Sequence, residues 1–122
     1  MTEFHGFCMP IGSNPIQGQA IRDLASQKAT FAVQVSAEWC GACSTATPEI
    51  QQASCAFNDM TFYKMNGDDD DLGPLSIESL PSLAIFKNGN LMGLIEGAYN
   101  SDEYVTRIGL LLDGKPLPPD PE

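Results

Sequence analysis

The chain has 122 residues, 43% of them hydrophobic, and a formal net charge of −10. That length suits a single domain with one ordinary core, and its uncharged apolar runs are too short for a membrane-spanning helix. Its basic residues, Arg22, Lys28, Lys64, Lys87, Arg107 and Lys115, stand singly. This argues against nucleic acid, which needs clustered cations, and against anionic membrane surfaces.

Residues 1–12 carry no clear period, although Glu3–Phe7 could supply a short edge strand. The start lacks the basic segment and apolar stretch of a secretory signal, so the chain is expected to be cytoplasmic. Asn14-Pro15 has the form of an N-cap followed by proline at the first helical position. Ile16, Ala20, Ile21, Leu24 and Ala25 then recur at helical spacing, to an end near Gln27–Ala29. Phe31–Ser36 is mostly apolar, as expected of a central strand covered on both faces. A helix is predicted from about Cys40 to Phe57, with Pro48 inside it and a kink there. Thr61–Asn66 is a second strand. A loop holding Asp68–Asp71 follows, then a short helical turn at Leu75–Ser79.

Ser82–Lys87 is a third strand. Asn88-Gly89 is a strong hairpin signal, which makes Leu91–Glu96 its antiparallel partner. Asn100-Ser101-Asp102-Glu103 resembles a capping box. It opens a last helix whose apolar face holds Tyr104, Val105, Ile108, Leu111 and Leu112. The order predicts an α/β fold: a central mixed sheet, parallel across the first crossover, with helices on both faces. One domain over 1–114 is expected, followed by a mobile Pro-rich tail over 115–122.

Cys40-Gly41-Ala42-Cys43 falls where the buried strand turns into a helix. At a helix N-terminus, unpaired N–H groups and the dipole favour an anion, here the thiolate of Cys40. Cys43 lies one turn on along the same face, so the two sulfurs can meet. Gly41 permits close approach of a substrate backbone. The division of labour that follows has Cys40 attacking a disulfide and Cys43 resolving the mixed disulfide. Zinc is the rival reading, but a zinc site wants about four ligands in spaced pairs. The remaining candidates, His5, Cys8 and Cys55, do not supply that spacing. Two incidental core cysteines are the other alternative, set against Trp39 and Gly41 flanking the pair. Leu80-Pro81 directly precedes a strand, and the local sequence alone favours an ordinary trans bond there.

Ala37-Glu38-Trp39-Cys40-Gly41-Ala42-Cys43 resembles the active-site signature of the thioredoxin family. Pro48, Leu80-Pro81-Ser82, Phe86-Lys87-Asn88-Gly89, Gly97 and Lys64 match further family positions in the right order, over about Phe31 to Ile108. The resemblance implies a thioredoxin fold and a protein disulfide oxidoreductase active in electron transport. It implies a cis Pro81 facing Cys40, a Leu80 backbone that pairs with an extended substrate, and Trp39 and Gly97 in the docking surface. No cofactor is expected beyond the redox-active Cys40–Cys43 disulfide, and no metal. The expected partners are protein disulfides and a reductase protein or small thiol as electron donor, with the chain as a monomer. A partner-binding module with secondary redox activity is the alternative.

Three positions depart from the family pattern. Ala42 stands where proline is usual, and supplies an N–H near the attacking sulfur. Gln34 stands where the family carries a buried aspartate; it cannot titrate, so water or Glu38 would have to move the proton. Lys64 then lacks its usual partner, and its ammonium should reach solvent or another acid. Ser44 replaces a common basic residue. Of the remaining features, Asp68–Asp71 reads as a solvated loop lacking a calcium-loop pattern. His5 reads as a surface residue, Cys8 as a semi-buried free thiol, and Cys55 as a small hydrophobe in a helix.

Overall fold

A computed structural model describes residues 15–118. The expectations for Glu3–Phe7, His5, Cys8 and Asn14 lie outside the described residues. The elements are α1 (Gly18–Ser26), β1 (Phe31–Ser36), α2 (Gly41–Ala53), β2 (Thr61–Asn66), β3 (Ser82–Lys87), β4 (Asn90–Glu96) and α3 (Ser101–Leu112). A 3-10 turn, Ser54–Ala56, extends α2.

The sheet has the order β2-β1-β3-β4. β1 is parallel to β2 and antiparallel to β3, and β3 is antiparallel to β4. β1 is therefore hydrogen-bonded along both edges, and Phe31 to Val35 are at most 1% exposed. Alternation along β1 divides the core in two. Ala32 joins Ala46, Ile50, Leu83, Ile85 and Ile108 under α2 and α3. Phe31, Val33 and Val35 join Ile21, Met65 and Phe86 on the α1 side. Helices thus cover both faces, and Gln34, in phase with Ala32, points at α2.

Two predicted helical segments are corrected. α1 begins at Gly18 with Gln17 as its N-cap, not at Asn14-Pro15. Ile16 is held in extended form beside β2, its N–H donating to Lys64 O at 2.8 Å. That long-range bond overrides the local Asn-Pro signal. Leu75–Ser79 is not helical. Leu75 is instead buried in the α1-side core, so tertiary packing holds it without a helical turn.

The hairpin and the last helix follow their local chemistry. Asn88 and Gly89 both have positive φ, at 53° and 84°, the backbone that a tight two-residue hairpin needs. Asn100 caps α3, its side chain accepting from Glu103 N at 2.9 Å. The Glu103 carboxylate accepts from Arg107 Nε at 2.7 Å, within the helix. Lys115 N–H donates to Leu110 O at 2.9 Å, and Leu117 packs against the α2–α3 core.

Tyr104 is 1% exposed, and its hydroxyl donates to Gly97 O at 2.9 Å. Burial pushes its phenol up to about 12. A folded value above the unfolded one favours the protonated fold, so this stability is complete below about pH 10 and is lost as pH rises towards 12. Tyr104→Phe should lower the urea midpoint at pH 8 by the loss of one buried hydrogen bond, about 1 kcal/mol. The variant should also lose less stability than wild type between pH 10 and 12; equal losses would contradict the assignment.

Candidate functional site

Cys40 is placed by the end of β1. Cys40 N–H donates to Ala37 O at 3.1 Å, closing the turn out of the strand. Cys40 is itself the N-cap of α2, and its Sγ accepts from Cys43 N at 3.2 Å. The sulfur thus occupies the anion-favouring end of the helix. Cys40 and Cys43 are disulfide-bonded, with Cα atoms 5.4 Å apart. Cys40 is 9% exposed and Cys43 4%, so both residues are buried, the first slightly less. Gly41 and Ala42 are exposed, and a Cβ added at Gly41 would meet nothing within 4 Å. The Ser44 hydroxyl donates to Gly41 O at 2.8 Å across the first turn.

A cleft of about 440 Å³ opens beside the disulfide, lined by Glu38, Cys40, Cys43, Thr47 and Lys64 among others. Lys64 pairs in register with Gln34 across β1 and β2, and is partly buried. Glu38 is exposed at the cleft. Behind the cleft, Gln34 is fully buried. Its Nε2 donates to Thr47 Oγ1 at 2.7 Å, and the Thr47 hydroxyl donates to Cys43 O at 2.9 Å.

The Leu80–Pro81 peptide is cis. Ser82 pairs with Val35 of β1 and with Glu96 of β4, so Pro81 and Gly97 lie at the sheet end from which Cys40 emerges. Gly97 N–H donates to Pro81 O at 2.9 Å, and Gly97 has φ 109°. Pro81 is buried and Leu80 partly so. Neither lines the cleft, which lies on the Lys64 side of the pair.

Trp39 is 69% exposed, and its indole N–H donates to both carboxylate oxygens of Asp68 at 3.0 Å. The acidic run is thus more than a solvated loop. Asp71 receives Arg22 in a two-pronged ion pair, at 2.9 and 2.6 Å. That guanidinium, chiefly by its hydrogen bond, holds the Asp71 carboxyl below the usual range. Asp68 and Thr47 are the site residues that sequence reasoning missed. Nothing in the spacing of Trp39 and Asp68 relates them. Thr47 had a usable signal, because it follows Cys43 by one i,i+4 step on a helix facing β1.

Cys55 is also corrected. It lies in the turn after α2, partly buried, and is disulfide-bonded rather than a free packing thiol. Among the described residues, no group of three or more His, Cys, Asp or Glu is placed to hold a metal, and no helix is long and apolar enough to cross a membrane.

A dithiol pair at a helix N-terminus, on a mixed sheet covered by helices, defines a thiol–disulfide exchange protein. The family model for thioredoxin matches residues 18–109. A thioredoxin of Mycoplasma genitalium is 38% identical over 71 residues, 57% of this chain and 70% of its own. One of Oryctolagus cuniculus is 31% identical over 96 residues, 77% of this chain and 90% of its own. The crystal structure of oxidized thioredoxin O2 from Arabidopsis thaliana superposes with a TM-score of 0.61 at 26% identity, covering 78% of this chain and 83% of that one. The chain belongs to the thioredoxin family, and its chemistry is thiol–disulfide exchange at Cys40 and Cys43. That chemistry passes electrons between sulfurs and needs no cofactor.

Trp39 is the chain's one tryptophan, so its fluorescence reports the Asp68 contact directly. Asp68→Ala should lower the steady-state anisotropy of the indole, and should cost about 1 kcal/mol or less of stability because the contact is exposed. Unchanged anisotropy would show that Asp68 does not hold the ring.

Proposed function

We propose that the chain is a disulfide reductase in which Cys40 attacks and Cys43 resolves. The observation that carries this reading is the Cys40 sulfur at the α2 N-cap, where it accepts the Cys43 amide. In the dithiol form the same amide and the helix dipole stabilise a Cys40 thiolate. The thiolate attacks one sulfur of a substrate disulfide, forming the mixed disulfide and releasing the first substrate thiolate. Cys43, as thiolate, then attacks Cys40 Sγ and releases the second. The substrate gains two electrons and the pair returns to its disulfide. A reductase protein's dithiol, or two molecules of a small thiol, supplies the two electrons that reduce the pair again and is itself oxidised to a disulfide.

Support for a docking surface comes from Trp39, held open by Asp68, and from the Leu80-Pro81 segment beside Gly97. An extended substrate strand would pair with the Leu80 backbone, next to Gly41 and Ala42, whose exposure leaves the first turn open. Lys64 and Glu38, both lining the cleft, would serve the proton exchange that Gln34 cannot perform. The proposal includes one domain over 1–114 followed by a Pro-rich mobile tail over 115–122. The first residues of that tail are still tied to the domain through the Lys115 bond to Leu110 and the packing of Leu117. It further takes the chain as a cytoplasmic monomer without nucleic-acid or membrane partners, on the strength of its scattered cations and acidic character (pI about 4.2). The mitochondrion is the rival compartment, since thioredoxin O1 of Arabidopsis thaliana, 34% identical over 67 residues, is mitochondrial. Cell fractionation decides between them.

Insulin reduction driven by dithiothreitol tests the roles. Cys40→Ser should abolish activity above the uncatalysed rate. Cys43→Ser should retain attack and accumulate a mixed disulfide visible by mass spectrometry. Trapping through Cys43 in the Cys40→Ser protein would reverse the assignment. Wild type no faster than Cys40→Ser would remove the reductase reading and favour a partner-binding module.

A further inference from the structure

Among the described residues, Gln34 Oε1 is a buried side-chain oxygen with no hydrogen-bond partner. The orientation of the amide is dictated by its neighbour. Thr47 gives its hydroxyl proton to Cys43 O, which leaves a lone pair facing Gln34, and only Nε2 can answer it. Oε1 is then directed elsewhere, within the protein interior. Lys64, set beside Gln34 on β2, lines the cleft and makes no bond to Oε1; the buried residues of α2 nearest Thr47 are Cys43, Ala46 and Ile50. Alanine and isoleucine side chains carry no donor in any state. Cys43 carries none while it is bonded to Cys40, and acquires an S–H when the pair is reduced.

We propose that Gln34 Oε1 is the acceptor for the Cys43 thiol in the dithiol form, and that Gln34 thereby biases the couple towards that form. The inference rests on the thiol–disulfide exchange reading and concerns its equilibrium. Reduction by a dithiol delivers two electrons to the Cys40–Cys43 bond and oxidises the donor to its disulfide. Of the two protons that accompany the electrons, one goes to Cys43 Sγ, and its S–H bonds to Gln34 Oε1. The disulfide form carries the cost of an orphaned buried carbonyl, and the dithiol form is relieved of it. An acceptor fixed in this way also favours the neutral Cys43 thiol over its thiolate, while Cys40 keeps the anion-favouring helix end. Gln34 acts with no change of its own charge, as a redox-state sensor built from one amide oxygen.

Gln34→Met keeps the length of the side chain and removes both the oxygen and the nitrogen of the amide. Equilibration of the Cys40–Cys43 pair against a dithiothreitol redox series should show the variant shifted about tenfold towards the disulfide relative to wild type, equal to ~30 mV for a two-electron couple. The S–H stretch of Cys43 in the reduced protein, identified by its loss in Cys43→Ser, should lie at lower frequency in wild type than in Gln34→Met. Lys64→Met should leave the difference between the Gln34 forms unchanged. An unshifted equilibrium, an unshifted stretch, or a Gln34 effect that vanishes without Lys64 would each overturn the proposal while leaving the exchange reading intact. Wild type that fails to equilibrate with the dithiol at all would instead strike the exchange reading. Should Gln34→Met fold poorly, Thr47→Val is the second variant. It removes the hydroxyl that orients the amide, and should also move the equilibrium away from the wild-type value; an unmoved equilibrium in it overturns the proposal.

Discussion

β1 is hydrogen-bonded on one edge to β2 and on the other to β3, and is buried from both faces. Such a strand has little freedom to shift, because a one-residue slip would exchange its two core faces. Its last residues therefore reach the surface at a fixed height and direction. Cys40 takes its position from this strand end, and the first turn of α2 takes its position from Cys40. The register also aligns Ser82 with Val35 and with Glu96, which brings Pro81 and Gly97 to the same end of the sheet. Lys64 is set beside Gln34 by the parallel pairing with β2. The reactive sulfur, the neighbouring cation and the Pro81 segment thus depend on one rigid strand.

The constraint explains the asymmetry of the two cysteines. One sulfur caps the helix, where its charged form finds an N–H and a helix dipole. The other lies one turn inward, over Gln34 and Thr47, where a charged form would lose water and gain only an amide oxygen. On the proposed reading, opposed environments for two chemically identical thiols would give them opposed roles without any further residue. Ala42 and Ser44 leave this asymmetry in place, since the N-cap contact is made by backbone and sulfur alone.

Local chemistry made most of the frame legible. The apolar run of Phe31–Ser36, the Asn88-Gly89 turn and the Asn100 cap each specify their element through side chains within a few residues. The strand-to-helix position of Cys40 followed from the same reading. Elements set by distant partners were not legible. α1 starts late because Ile16 bonds to Lys64, 48 residues away in sequence. Leu75 is held by core packing, so a helical turn there has no role to fill. Asp68 and Asp71 read as a repelling charge run, yet each meets a specific partner, Trp39 and Arg22, supplied by another part of the chain. No local pattern encodes such pairs.

Gln34 shows where the two kinds of information meet. Its identity was legible as a departure from the family's aspartate, and the sequence suggested only a lost titratable group. The fold shows the replacement buried, bonded to Thr47 and left with an unpaired oxygen. A buried aspartate in this place would carry a charge that the core resists, and would couple the pair to pH. Glutamine removes that charge, and is held by Thr47 in an orientation that leaves its acceptor unpaired while the disulfide is closed. The position has exchanged a group that moves protons for one that distinguishes a disulfide from a dithiol by a single hydrogen bond. On the proposed reading, proton traffic would fall to the solvent side of the cleft, which Lys64 and Glu38 line.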